Sequence, residues 1–250
     1  MKMRVFCQTD IGKKRTHNED AVKVYENEYC KLLVVADGMG GHEAGEVASD
    51  IVLKKFDVSF HEQTRFETPE SLRRWFKENL TLINEEILRY IETHRIIHGM
   101  GTTIALAVVT KTFIGIAHIG DSRAYLYKNH QLKQLTSDHT FVNRLIAEGK
   151  LTKRQAKKHP HRHVIVNALG VNQTLVFDFN LLEHYQFDSL LLCTDGLCSL
   201  VEDEEMIAVL DSQQSIEDKV NTLIKIANDK GGYDNISIAL LECAEGSRTQ

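Results

Sequence analysis

The chain has 250 residues, 42% of them hydrophobic, with a formal net charge of −5 and a pI near 6.2. That is enough apolar material for a sizeable core in one folded domain, and the acidic balance argues against the dominant basic surface of a general nucleic-acid binder. Cys7, Cys30, Cys193, Cys198 and Cys243 are odd in number and form no CxxC pair, the opening "MKMRVFCQTD" lacks a signal-peptide core, and the longest apolar runs are strand-sized; a reducing, cytoplasmic chain without a membrane segment is expected.

No linker or solenoid-length repeat divides the chain, and Pro69 and Pro160 are its only prolines. A short strand is expected over 3–9, then a hairpin in which 21–25 and 31–36 flank the turn-like "ENEY". Over 45–56, Val47, Ala48, Ile51 and Val52 recur at helical spacing. Over 68–94, Leu72, Phe76, Leu80, Ile83, Ile87 and Ile91 keep one face apolar, with Thr68 as cap and Pro69 at the first helical position. Strands follow over 102–109 and 113–119 and in a hairpin of "RAYLY" and "LKQL" around "KNHQ". Residues 138–166 are polar, rich in Lys, Arg and His, and read as short helices in an excursion over one edge. Beyond them come strands at "TLVFDFNLL" and "DSLLLCT", helices over 202–210 and 216–229, and a closing strand at "NISIALLEC". Hairpins dominate over βαβ alternation, which points to antiparallel sheets packed together with helices outside.

Several strands carry an aspartate at one end. The buried run before Asp37 in "LLVVADGMGG" ends on a carboxylate, as do "SLLLCTDGL" at Asp195 and "FIGIAHIGD" at Asp121, while Asp20 and Asp234 stand before strands. An antiparallel hairpin brings Asp20 and Asp37 to the same edge. Two helices running out and back return the chain so that Asp195 and Asp234 meet. Carboxylates gathered this way repel one another or take up protons unless cations compensate. Hard oxygen donors without a Cys/His set favour Mg²⁺ or Mn²⁺ over zinc, and the glycines at 38, 40 and 41 let the backbone turn close to an ion. Any single aspartate at a strand end is ordinary turn chemistry; the set together indicates a site.

In their order and spacing, "TDIGKKRTHNEDA", "VVADGMGGHEAGEVAS", "GMGTTI", "IGDSRAYL", "LTSDHT", "ALG", "CTDGL" and "GGYDNISIAL" resemble the metal-dependent serine/threonine protein phosphatases of type 2C, the PPM family, in their compact bacterial form. The resemblance covers essentially the whole chain. It implies an α+β fold, a four-layer α-β-β-α sandwich with two central antiparallel sheets, as one phosphatase domain over 1–244 with a flap over 138–166 and a flexible tail over 245–250. It implies that Asp37 bridges two metal ions, Mn²⁺ or Mg²⁺, with the Gly38 carbonyl on one and Asp195 and Asp234 on the other. Asp20 holds metal-bound water or ligates directly, and Asp121 joins Asp195 at a third, weaker ion. Arg15 binds the substrate phosphate and His42 is the general acid. The implied partners are phosphorylated proteins and an opposing Hanks-type Ser/Thr kinase; the chain acts as a monomer, with no nucleic acid and no membrane.

Chemistry supports these roles. Two cations lower the pKa of a bridging water and neutralise charge as the hydroxide attacks phosphorus in line. The planar guanidinium of Arg15 offers two parallel donors to phosphate oxygens, and a histidine titrating near neutrality protonates the leaving alkoxide. No phosphoenzyme is needed, so Cys193 and Cys198 read as core packing. His159, His161 and His163 read as a solvated or substrate-facing surface, His118 as a partly buried strand residue, Arg123 as local support, and Asp138 as a cap for the helix after it or a residue that orients site water. Thr194 before Asp195, Val166 and Asn167 before "ALG" and Tyr233 before Asp234 depart from the family pattern without removing a ligand. Two other readings are a catalytically weak module that binds phosphoproteins and another two-metal phosphoesterase such as a nuclease. The intact ligand set weighs against the first, the acidic pI against the second.

Overall fold

The computed structural model describes residues 3–41, 44–62, 65–95, 99–183 and 187–243. His42 and residues 245–250 lie outside the described residues. In chain order the elements are β1 (Met3–Asp10), β2 (Asp20–Glu26), β3 (Lys31–Gly40), α1 (Ala44–Glu62), α2 (Pro69–His94), β4 (Met100–Thr102), β5 (Ile104–Val109), β6 (Phe113–Ile119), β7 (Arg123–Lys128), β8 (Gln131–Gln134), α3 (Phe141–Ala147), α4 (Lys153–Ala156), β9 (Asp178–Glu183), β10 (Ser189–Cys193), α5 (Asp195–Cys198), α6 (Asp203–Asp211), α7 (Ile216–Asp229) and β11 (Ile236–Cys243). One sheet has the order β1-β11-β10-β7-β8 and the other β2-β3-β5-β6-β9, with β4 paired to β3. All the pairings are antiparallel.

The central strands read as unbroken apolar runs because both faces of each sheet are covered. In β3, Leu32, Val34 and Ala36 join a core with Phe56 of α1 and Phe76 and Leu80 of α2, while Leu33 and Val35 meet Leu190, Leu192 and Ala239 of the other sheet. In β10 and β11, Leu191, Cys193, Ile238 and Leu240 turn the opposite way, onto Leu197, Met206, Val220 and Leu223 of α5, α6 and α7. Three apolar cores thus separate four layers, helix, sheet, sheet, helix, as expected. Each large aliphatic side chain buried there contributes roughly 1.5–3 kcal/mol. Cys193 is fully buried in this packing, in line with its reading as a core residue.

Local chemistry sets the element ends. Thr68 caps α2 by accepting from the Ser71 amide at 3.1 Å, with Pro69 as the first helical residue. At the β7–β8 turn, Asn129 and His130 both take positive φ, 48° and 61°, the twist that two-residue hairpins favour. The structure also differs from the sequence-based expectation in places. The helix expected over 45–56 runs on to Glu62. The strand expected over 102–109 is interrupted at Thr103, and β9 starts only at Asp178. α5, a single turn beginning at Asp195, has too few residues for a periodic signal. No helix among the described residues is long and apolar enough to cross a membrane.

Candidate functional site

Asp20 and Asp37 face each other across β2 and β3, in the register that sets Ala21 against Ala36 and Val22 against Val35. The strand carrying Asp37 does not stop there. β3 continues to Gly40, pairing with β5 as far as Val35 and with β4 from Gly38. Between the two, the Asp37 carbonyl accepts from the Thr103 amide and the Thr102 hydroxyl, both at 2.9 Å, and the Asp37 amide donates to Thr103 Oγ1 at 3.2 Å. The backbone under Asp37 is therefore fixed from three directions. At Gly38 a Cβ would lie 2.1 Å from the Gly45 carbonyl oxygen, so only glycine lets the first turn of α1 pack this closely onto the strand.

Asp195 and Asp234 are brought together by a similar close approach. Gly196 lies against Asn235, whose carbonyl oxygen would be 1.9 Å from a Cβ there; the first turn of α5 is thereby pressed onto the start of β11. The charge of Asp234 is the largest electrostatic influence on Asp195 after burial, and the two act together to raise the Asp195 carboxyl above its usual range. Thr194 links the two sheets at this point. Its hydroxyl donates to Asp20 Oδ2 at 2.8 Å and accepts from the Ser237 amide at 2.9 Å.

All five aspartates expected at the site converge. Burial, then the charges of Asp20, Asp195, Asp121 and Asp234, push the Asp37 carboxyl well above the ordinary carboxylate range. Burial is also the main cause at Asp20 and Asp121, each pushed up to about 7; Asp195 and Asp234 add to it at Asp20, and Asp195 and Asp138 at Asp121. Asp121 Oδ1 is buried without a hydrogen-bond partner among the described residues. Arg15 lies at the rim, where its Nη2 donates to Asp234 Oδ2 at 2.7 Å. Burial opposes its charge, but Asp234, Glu19 and Asp37 outweigh that and hold the guanidinium above its usual value. His163, from the 138–166 segment, is close enough for its charge to act on Asp195.

Two surrounding residues differ from expectation, and one agrees. His118 is fully buried, not partly, and burial pushes its pKa down to about 4. Asp138 does not cap α3. Arg123 grips it with Nε and Nη2 at 2.9 and 2.7 Å, and the cap is Thr140, which accepts from the Asn143 amide. That grip bears out Arg123 as local support.

Sequence reasoning missed a second cluster, His118, His139 and Asp178, whose donor atoms lie within 4.8 Å of one another. Hydrogen bonds knot His139 into the structure, whereas both ring nitrogens of His118 are buried without a hydrogen-bond partner among the described residues. The Gly120 amide donates to His139 Nδ1 at 3.2 Å, so Nε2 carries the proton and points at Asp178 Oδ2, 3.1 Å away. Both nitrogens of His139 are thus engaged, Nδ1 by the Gly120 amide and Nε2 by Asp178, which leaves that ring no free lone pair for an ion. The backbone ties at the same place: His139 N donates to Gly120 O at 2.7 Å and Val166 N to His139 O at 2.8 Å. Both ends of the 138–166 segment are fastened beside Asp121. No period or motif in the sequence signals this, because the partners are tens of residues apart.

Comparison with known proteins agrees with this geometry. Residues 8–231 match the family described as protein phosphatase 2C. The serine/threonine phosphatase stp of Listeria monocytogenes is 39% identical over 241 residues, 96% of either chain. The structure of the Streptococcus agalactiae serine/threonine phosphatase superposes with a TM-score of 0.91 at 32% identity, covering 97% of this chain and 100% of that one. The catalytic domain of the serine threonine protein phosphatase PstP, in complex with two manganese ions, superposes with a TM-score of 0.81 at 33% identity, over 96% and 97% of the two chains. The chain belongs to the protein phosphatase 2C family.

Proposed function

We propose that this chain is a serine/threonine protein phosphatase, hydrolysing phosphoserine and phosphothreonine in proteins at a centre that takes Mn²⁺ or Mg²⁺. The observation that carries the reading is the convergence of Asp20, Asp37, Asp121, Asp195 and Asp234, whose charges act on one another beside Arg15. The activities named for the Listeria and streptococcal relatives, and the two manganese ions of the PstP neighbour, support it.

The residues suit divalent cations. The donors are hard oxygens, Asp121 Oδ1 has no partner among the described residues, and burial with mutual repulsion strains the carboxylates until a cation neutralises them. Asp37, the Gly38 carbonyl, Asp195 and Asp234 would hold two ions, and Asp121 with Asp195 a third, weaker one. When bound, such a pair supplies an activated water and offsets the charge of the phosphoryl group. Asp20, fixed by the Thr194 hydroxyl, would hold a water of the ions or ligate directly. Arg15 grips two phosphate oxygens, exchanging its bond to Asp234 for a bidentate one. In the same reading His42 would give its proton to the leaving alkoxide.

The same reading makes 1–244 one domain with 245–250 as a tail, and 138–166 a flap that brings His163 toward the substrate. The protein works as a cytoplasmic monomer on phosphoproteins, opposing a Hanks-type Ser/Thr kinase, without nucleic-acid or membrane partners. The acidic charge balance supports the exclusion of nucleic acid.

Incubated with a phosphothreonine peptide, the protein is expected to release phosphate with Mn²⁺ or Mg²⁺ and to stop when EDTA is added; release that survives chelation would sink the reading. Arg15→Ala is expected to raise KM about tenfold, the worth of one charge-assisted pair, with kcat and the calorimetric Mn²⁺ affinity little changed. An unaltered KM would remove Arg15 from phosphate binding. Thr194→Val takes away the hydroxyl that fixes Asp20, so Mn²⁺ affinity is expected to fall roughly tenfold. Thr194→Ser should keep it, and equal affinities for all three proteins would refute that role.

A further inference from the structure

We infer that Asn235 is a positioning residue for substrate phosphate, acting through Arg15. The inference rests on the phosphatase reading, in which Arg15 grips the phosphate. Arg15 sits at the middle of the 11–19 segment, between β1 and β2, and residues 13–17 are exposed. A guanidinium on an exposed loop loses much of its grip to the loop's own freedom unless the ends are held.

Asn235 holds them. Its side-chain amide donates to the Ile11 carbonyl at 2.9 Å and to the His17 carbonyl at 3.0 Å, and its Oδ1 accepts from the Glu19 amide at 2.9 Å. One buried side chain, 4% exposed, thus spends both amide hydrogens and its oxygen on three points spaced along the segment. Between those points the Lys13 and Lys14 amides donate to the Gly232 carbonyl at 2.8 and 3.1 Å. The Asn235 amide, in turn, donates to Asp234 Oδ1 at 2.9 Å, and Arg15 bonds the other oxygen of the same carboxylate. The loop and the proposed metal ligand are therefore set in one frame by a single residue. Aspartate in its place lacks both donors, and glutamine is one carbon too long for the same three contacts.

The test is a double-mutant cycle read as KM and kcat on the phosphothreonine peptide with saturating Mn²⁺, alongside calorimetric Mn²⁺ affinity and thermal unfolding. Asn235→Ala is expected to raise KM about as much as Arg15→Ala, roughly tenfold, with Mn²⁺ affinity within about threefold of wild type. In the Arg15→Ala background it should add little, because the group it positions is gone. Asn235→Ser, which keeps one hydrogen-bonding group, should fall between. Effects of the two mutations that multiply would overturn the inference, as would a change confined to kcat or to Mn²⁺ affinity. Loss of folded structure in both the alanine and serine variants would also overturn it, since Asn235 would then serve the fold and not the placement of Arg15. An Arg15→Ala protein with unchanged KM would fault the phosphate-grip reading itself, whereas a raised KM there beside a normal Asn235→Ala protein faults this inference alone.

Discussion

Asp195→Ala is expected to lower Mn²⁺-dependent hydrolysis of a phosphothreonine peptide by about 100- to 1,000-fold. Asp195 is the carboxylate shared by the whole cluster: it feels Asp234 and Asp37 directly and is the largest charge acting on Asp121. Its loss removes a donor from the proposed core pair and from the third position, so several kcal/mol of charge stabilisation at the phosphoryl group is forfeited, at about 1.4 kcal/mol per tenfold in rate. The measurement is kcat/KM across a Mn²⁺ titration, with circular dichroism to establish folding. A folded variant that keeps wild-type kcat/KM at low Mn²⁺ would rule out Asp195 as a ligand.

The second large effect concerns stability without metal. Asp121 and Asp20 are pushed from 3.8 up to about 7 in the folded chain. Between about pH 4 and pH 7 the folded state therefore holds protons that the unfolded chain has released, and its stability falls as pH rises through that window. Below it there is no penalty; above it the loss levels off. In EDTA, unfolding is expected at a lower temperature at pH 7.5 than at pH 5, and Mn²⁺ should reverse the difference by binding the folded state. Asp121→Asn should flatten the pH slope and stabilise the metal-free protein by about 2–4 kcal/mol at pH 7.5, a rise of roughly 5–10 °C for a chain of this size. Equal slopes for the two proteins would refute electrostatic strain at Asp121.

Much of the fold was legible from the chain itself. Residues 216–229 and 113–119 have the elements expected of them to the residue, because the first is a clean helical period and the second an unbroken apolar run, each ended by turn chemistry. The hairpin logic that set Asp20 opposite Asp37 holds in the register. Where expectation failed, a tertiary contact had overridden a local signal. Thr103 breaks a run of strand formers because its amide and hydroxyl serve Asp37. Asn84, on the apolar face of α2, is buried by accepting from Gly170 and donating to Asn172, a use that helical periodicity cannot display. Asp138 looked like a cap and is instead held by Arg123, fifteen residues earlier.

By itself the sequence determined which carboxylates stand at strand ends, which strands are covered on both faces, and, through its motif order, the family. Those are properties of neighbours along the chain, where spacing and turn preference act. The tertiary structure decided how tightly the carboxylates crowd, that Thr194 joins Asp20 to the second sheet, that His139 ties both ends of the 138–166 segment, and that Asn235 frames the Arg15 loop. Each depends on groups far apart in sequence meeting in a poorly solvated interior, where hydrogen-bond geometry and charge repulsion are settled only once the two sheets have packed.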